Sequence, residues 1–385
     1  MSKHDFTLDE FADRHRRLAA AMQRAELDWL VVVHPASIHW LTGSEAKSYQ
    51  EFQCVLFGAE PGLAAAFVRA GEVNEMQADS MAPRIVGWGG GVAEDPIVAL
   101  SALVQQLGLP GRRIGLEVPG YYLHPYHYLG LIELFGPDRV SDASALIGDL
   151  RLVKSQAEIA YIREAAAFAD HGMTVFRQHL AAGCTELDLA GHVTGALLLA
   201  GSGIAASPIN LVSGPRSAFS HGAPTTRRLM PGDTGNVEFG ATSHRYTATI
   251  GRQFSLGSPS ARLLDLYDIV RDASDAMIAA IRDGVSAADV HNVARRVIAD
   301  AGLDDYRVHL SGYSIGPGFP PSWAEPLYLL EDSRHVLRTN MVVTIEPPVF
   351  IGPERIGVRI IDNVLVTERG AELLARDPRD LVVVG

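Results

Sequence analysis

The chain has 385 residues, 47% of them apolar and 20% charged, a composition that supports a large buried core and excludes collagen, coiled coil and disorder. Lys plus Arg number 33 against 45 Asp plus Glu, a formal charge of −12, which repels polyanions and argues against nucleic acid or an acidic membrane as partner. The two cysteines, Cys54 and Cys184, make neither a disulfide framework nor a CxxC pair, so a reducing compartment, by default the cytoplasm, is expected. No apolar run approaches the roughly 20 residues a membrane-spanning helix needs, and the amino terminus lacks the apolar stretch of a secretory signal.

In chain order, Thr7-x-x-Glu10 is a capping box that opens a helix, and strands are expected at 30–33, 63–68 and 114–118. The run Gly87-Trp-Gly-Gly-Gly91 lacks both the phosphate-loop ending and dinucleotide spacing, so it reads as a turn. Ser155-x-x-Glu158 is a second capping box, followed by Ile159, Ile162, Ala166, Ala169, Met173, Phe176 and Leu180 at alternating spacings of three and four. That pattern predicts a long amphipathic helix opening a second domain. Further helices are expected at 186–200, 261–282, with Gly284 as C-cap, and 287–301. Strands are expected at 236–239, 341–345 and 358–367, the last alternating Val358, Ile360, Asp362, Val364 and Val366 on one face. Two domains follow, a smaller α/β unit over 1–150 and an α+β unit with an antiparallel sheet over 151–385.

Several blocks in this order carry a resemblance: Arg151-Leu-Val-Lys154-Ser155, Met230-Pro-Gly-Asp233, Glu238-Phe-Gly-Ala, Gly312-Tyr-Ser-Ile-Gly316, Asn340 through Glu346-Pro347, and Gly357-Val-Arg359-Ile-Ile-Asp362. Over nearly its whole length the chain resembles the creatinase/aminopeptidase P superfamily. The resemblance implies a pita-bread catalytic domain behind a smaller amino-terminal domain, and a homodimer in which one subunit's amino-terminal domain borders the other's site. The tract Lys47-Ser48-Tyr49-Gln50-Glu51-Phe52 is the candidate for that contribution. Peptidases of the superfamily hold two metals on two Asp, one His and two Glu; the matching places here are Glu238, Thr249, Tyr313, Glu346 and Ile361. Three of those side chains are not ligands of that kind, so no metal and no other cofactor are expected.

Within the superfamily the blocks Ser213-Gly-Pro-Arg216 through His221, His244-Arg245-Tyr246, and Gly312 through Pro320-Pro321-Ser322-Trp323-x-Glu325 look like those of ectoine hydrolases, and His221 resembles the catalytic histidine of creatinase. The reading that follows is a metal-independent hydrolase of a carbon–nitrogen bond other than a peptide bond, in a small amidine, guanidino or cyclic amide compound. Two alternatives stand beside it: a metal-dependent Xaa-Pro dipeptidase or aminopeptidase with a degenerate metal site, and a non-catalytic binding protein on the same scaffold.

The chemistry assigns candidate roles. Imidazole titrates near neutral pH, which suits His221 to take a proton from water and return it to a leaving nitrogen. Glu346 and Glu238 are placed as facing carboxylates, acid, nucleophile or counter-ion; for Glu238 a structural ion pair with Arg245 or Arg252 is the competing reading. His309 is a candidate to polarise a substrate oxygen, and Tyr313 and Tyr246 to donate hydrogen bonds to substrate or to sit in the core. Arg359 is a candidate clamp for a substrate carboxylate, with Arg252 and Arg216 competing. Trp323, beside the double proline, and Glu325 complete the candidate pocket.

Overall fold

The computed structural model describes residues 3–45 and 47–385, apart from the side chains of Lys47 and Ser48. Those two side chains of the proposed inter-subunit tract therefore lie outside the described residues. The chain divides into two compact units, Met1–Arg151 and Leu152–Gly385.

In the first unit the elements are α1 (Leu8–Arg24), β1 (Trp29–Val32), α2 (Pro35–Thr42), β2 (Cys54–Gly58), β3 (Gly62–Arg69), α3 (Val73–Asp79), β4 (Ile85–Trp88), α4 (Pro96–Gln106), β5 (Ile114–Leu116), α5 (Pro125–Phe135), β6 (Val140–Asp142) and α6 (Ser144–Leu152), which runs one residue past the boundary. The six strands form one sheet in the order β4-β3-β2-β1-β5-β6. The helix start read from Thr7 is real, since its hydroxyl accepts from the backbone N–H of Glu10. Of the run expected as a turn, Gly87 and Trp88 instead end β4, and the turn begins at Gly89, with Gly89 and Gly90 at φ +70 and +128.

The second unit opens with α7 (Gln156–His179) and α8 (Glu186–Ala200), each closed at its start by a reciprocal capping box, on Ser155 and Thr185. Then follow β7 (Asn210–Ser213), β8 (Thr234–Ser243), β9 (Tyr246–Leu256), α9 (Ala261–Ala280), α10 (Ala287–Asp300), β10 (Tyr313–Phe319), β11 (Ser322–Tyr328), β12 (Val342–Ile345), β13 (Val349–Ile351), β14 (Ile356–Val358), β15 (Asp362–Val366), β16 (Ala371–Leu373) and β17 (Val382–Val384). Nine strands make one sheet, along β16-β15-β12-β10-β9-β8-β7 with β11 added to β10 and β17 to β9; β13 and β14 form a separate hairpin. Every pairing in the nine-stranded sheet is antiparallel except that of β17 with β9. This is the expected α+β pita-bread architecture behind a smaller α/β unit.

Two further expectations need correction. The helix over 261–282 ends at Ala280, and its C-cap is Ile281 rather than Gly284, which takes φ +82 in the following turn. The strand expected over 358–367 is broken at 359–361. There the isolated bridge from Ile361 to Gly251 diverts the backbone between β14 and β15.

Strand alternation sorts the side chains of the large sheet onto two faces. Val237, Phe239 and Ala241 of β8 and Ile250 and Phe254 of β9 pack with Met173 and Phe176 of α7 and Val193 and Leu197 of α8. Val343 and Ile345 of β12, with Val358 and Ile360, pack with Leu266 and Val270 of α9 and Val290 and Ala294 of α10. The helices cover one face, and the opposite face carries Glu238, Thr249, Tyr313, Thr344, Glu346, Arg359 and Ile361 by parity alone.

Arg252 has the parity of Ile250 and Phe254 and therefore faces the helices. It is 1% exposed, and its guanidinium is 2.9 Å from both Asp362 and Asp377 while donating to the carbonyls of Gly251, Ile361 and Pro378. Removing a buried cation strands its partners, which typically costs about 3–5 kcal/mol. Arg252→Met is accordingly expected to lower the urea midpoint by that equivalent with an unchanged slope; a loss below about 1 kcal/mol would mean that Arg177 and Arg379 suffice for these aspartates.

Candidate active site

The helix-free face gathers its polar groups around Glu238, Arg359 and Glu346. Glu238, in the middle of β8, pairs in register with Asn210 on one side and Gly251 on the other. Its carboxylate Oε2 is 2.5 Å from the Arg359 guanidinium and accepts from the side-chain amide of Asn210 at 2.9 Å. Glu346, just past β12, is 1% exposed, and its Oε1 has no hydrogen-bond partner among the described residues. Burial pushes its carboxyl well above the usual range, the charge of Glu238 pushes the same way, and Arg359 offsets part of the effect. One fixed cation thus serves two carboxylates, and Glu238 is the one paired with it.

His309 stands at the edge of this cluster, with Nδ1 3.7 Å from Glu346 Oε1 and 3.1 Å from the carbonyl oxygen of Leu310. A carbonyl only accepts, so Nδ1 carries the hydrogen and Nε2 presents a lone pair. Burial lowers the pKa of His309 first, and the charges of Arg359 and His221 lower it further. His309 is therefore a neutral imidazole and a proton acceptor. The expectation that it polarises a substrate oxygen through the outer nitrogen is corrected on that ground. The ring of exposed His221 lies 5.1 Å from that of His309, centroid to centroid. Tyr313 opens β10, with its backbone N–H bonded to Thr344 Oγ1 at 3.0 Å and its hydroxyl accepting from the indole of Trp323 at 2.9 Å.

The structure thus brings together His221, Glu238, Glu346, His309, Tyr313, Arg359 and Trp323. Four other candidates are engaged with partners outside this cluster. Arg252 is on the helix face, as described. Tyr246 shares that face, is fully buried, and gives its hydroxyl hydrogen to Glu158 of α7 at 2.6 Å. Glu325, on β11, is ion-paired with Lys154 and packs so closely on Gly316 that a Cβ there would meet its Oε1 at 2.5 Å. Arg216 is paired with Glu186. Neither Arg245 nor Arg252 partners Glu238; Arg245 lies over the Phe319 ring at 4.8 Å. Sequence reasoning missed Asn210 and Thr344, which no motif marks, because their roles come from cross-strand register.

The side chains at the remaining peptidase ligand positions are otherwise engaged. Thr249 is bonded on both its backbone N–H and its hydroxyl to Asn363. Ile361 packs on Gly251 so tightly that a Cβ at that glycine would come within 2.7 Å. Among the described residues no group of three or more His, Cys, Asp or Glu is placed to hold a metal ion. A pair of divalent ions needs converging oxygen and imidazole donors. Here one carboxylate is taken by a guanidinium that would repel such ions, and three of the five positions supply a hydroxyl, a phenol and an alkyl group. The residues present do not fit a dinuclear metal centre.

Fold and site together define a two-domain pita-bread protein with a charged catalytic-type cluster on the open face of its large sheet. The profile described as Creatinase/Prolidase N-terminal domain matches residues 14–153, and that of Metallopeptidase family M24 matches 160–368. The chain is 30% identical over 389 residues to the probable dipeptidase PepE of Mycobacterium tuberculosis, covering 100% of this chain and 99% of the relative. It is 32% identical over 237 residues to the Xaa-Pro dipeptidase of Pyrococcus furiosus, spanning 62% of this chain and 67% of that protein. Among solved structures, dipeptidase PepE from Mycobacterium ulcerans superposes with a TM-score of 0.85 at 29% identity, covering 98% of this chain and 99% of that one. Xaa-Pro dipeptidase from Bacillus anthracis gives 0.85 at 25%, covering 97% and 100%. The chain belongs to metallopeptidase family M24.

These relatives overturn the expected activity. They are dipeptidases and Xaa-Pro dipeptidases, not ectoine hydrolases, so the reading of a metal-independent hydrolase acting on a non-peptide carbon–nitrogen bond is withdrawn. The blocks around His221 and Tyr313 misled because they describe a local arrangement, whereas similarity along the whole chain tracks the dipeptidases.

The raised pKa of Glu346 fixes the sign of a pH effect. Above the ordinary carboxylate pKa of about 4.3 the unfolded chain gives up this proton while the folded one keeps it. The contribution is therefore fully present below that pH and is lost as pH rises toward the folded value. Glu346→Gln should remove this decline, leaving the variant more stable than wild type at pH 8 and little different at pH 4 in chemical denaturation. Parallel curves for the two proteins would show that Glu346 is ionised in the fold.

Proposed function

We propose that this chain hydrolyses the peptide bond of dipeptide-sized substrates. The observation that carries the reading is its end-to-end similarity to a probable dipeptidase, with both chains covered almost completely. The open-face cluster supports it, because a dipeptide is a small zwitterion and the cluster offers buried groups of both signs. Among the described residues both terminal nitrogens of Arg359 lack a hydrogen-bond partner of good geometry, although Glu238 is at ion-pair distance, and the side chain is 1% exposed. A substrate carboxylate would satisfy both at once, as guanidinium forks do.

The chain's own residues then divide the work. His221 takes a proton from the attacking water, and neutral His309, 5.1 Å away between ring centroids, relays or shares it. Glu346, holding its proton, delivers it to the departing nitrogen as the carbon–nitrogen bond breaks, and is reprotonated through the imidazoles. Glu238 holds Arg359 in place. Trp323, 5% exposed, closes one wall.

The protein acts as a homodimer in the cytoplasm in this reading. The dimer rests on the superfamily resemblance, and the compartment on two free cysteines, of which Cys54 is buried. Among the described residues no helix is long and apolar enough to cross a membrane.

The test is release of free amino acids from a panel of dipeptides, Xaa-Pro and others, with and without added manganese, cobalt or zinc. Turnover is expected, and Glu346→Gln and His221→Ala should each lower kcat by about 100-fold, the usual worth of a positioned acid or base. A folded protein that cleaves no dipeptide under any of these conditions would sink the proposal.

A further inference from the structure

A tyrosine hydroxyl has one proton to give and two lone pairs to receive. The surroundings of Tyr313 use one lone pair only. Trp323 Nε1, a group that donates and never accepts, lies 2.9 Å from the phenolic oxygen. Among the described residues no hydrogen bond takes up the phenol's own proton.

The indole is not free to turn away. Trp323 is 5% exposed, and its six-membered ring lies against the backbone at Gly240, where a Cβ would fall 2.9 Å from it; its own Cβ would be 3.1 Å from one at Gly318. Those two glycines let the ring sit flat on β8 and β10. Tyr313 is held at its other end, since its backbone N–H is bonded to Thr344 Oγ1. A phenolic O–H prefers the plane of its ring, which leaves two directions. The indole N–H fills one, so the proton takes the other.

Tyr313 borders the reacting groups. Burial raises its pKa well above the usual phenol value, so it keeps its proton at neutral pH. Neighbouring groups of the cluster are engaged in other ways. His309 presents a lone pair, Glu346 is needed at the leaving nitrogen, and Arg359 is committed to Glu238 and to a carboxylate.

We propose that the Tyr313 hydroxyl is the oxyanion donor of this site, with Trp323 as the residue that positions it. This rests on the peptide-hydrolase reading above. Water oxygen attacks the carbonyl carbon, the water proton passes to His221, and the carbonyl π pair moves onto oxygen. The Tyr313 hydrogen bond shortens on that oxygen without transferring its proton. When the pair returns, the carbon–nitrogen bond breaks and the nitrogen takes the Glu346 proton. Such a donor acts on charge that exists only in the transition state, so it belongs to kcat rather than to KM.

The experiment uses Tyr313→Phe, Trp323→Phe and the double variant, with a dipeptide and its phosphinate isostere, whose tetrahedral anionic centre mimics the intermediate. Tyr313→Phe should lower kcat by about 100-fold with KM within about threefold, and weaken phosphinate binding by a similar factor. Trp323→Phe should lower kcat by about tenfold alone and not at all in the Tyr313→Phe background, where the indole has nothing left to orient. Equal kcat in wild type and folded Tyr313→Phe would overturn the donor, and an additive double variant would overturn the role of Trp323. If wild type cleaves no dipeptide yet binds the phosphinate in a Tyr313-dependent way, the peptide reading fails and the donor stands. Absence of both overturns both.

Discussion

A single buried guanidinium shared by two buried carboxylates sets the character of this site. Arg359 is 1% exposed, Glu238 and Glu346 are 4% and 1% exposed, and water is not at hand to screen them. Burial of two negative charges against one positive leaves one proton's worth of charge to settle, and the settlement falls on Glu346. The rest follows in sequence. Glu238 holds the arginine, and burial, with the arginine's charge adding to it, lowers the pKa of His309. Burial raises the pKa of the Tyr313 phenol well above the usual value. Acid, base and donor are thus separated by one shortage of cation.

The large sheet makes that cluster possible by keeping two kinds of buried charge apart. On the helix face, Arg252, Arg177 and Arg379 meet Asp362 and Asp377 in a network where each aspartate has more than one cation. On the open face, charge is left incompletely matched. The first arrangement holds β9 to the carboxyl-terminal segment, and the second is available to a ligand. A residue's parity along its strand decides which it joins, because a shift of one position carries the side chain through the sheet.

Membership in a metallopeptidase family and the local side chains are different kinds of information. The family similarity reflects the whole chain, including the two helix layers and the sheet that any member needs. The five ligand positions report on one small part of it. There Ile361 fills the space above Gly251, Asn363 engages Thr249, and Trp323 engages Tyr313. Three of the five positions, Ile361, Thr249 and Tyr313, are thus engaged by neighbours, beside the group of Glu238, Arg359 and Glu346. The scaffold is that of metallopeptidase family M24, with charge on the open face balanced between protein groups.

The amino-acid sequence alone determined the helices of the second unit, because capping boxes at Ser155 and Thr185 and apolar spacings of three and four are local signals that survive without knowledge of the fold. It also placed Glu238, Glu346, His221 and Arg359 as site candidates, through blocks tied to strand ends. It could not tell Arg252 from Arg359, nor Tyr246 from Tyr313, since each pair shares residue type and a β setting. It could not see Asn210 or Thr344 at all. Those distinctions belong to the tertiary structure, for they turn on which sheet face a side chain meets and which strand lies beside it. Cross-strand register brings together residues more than a hundred positions apart, and no local pattern encodes that distance.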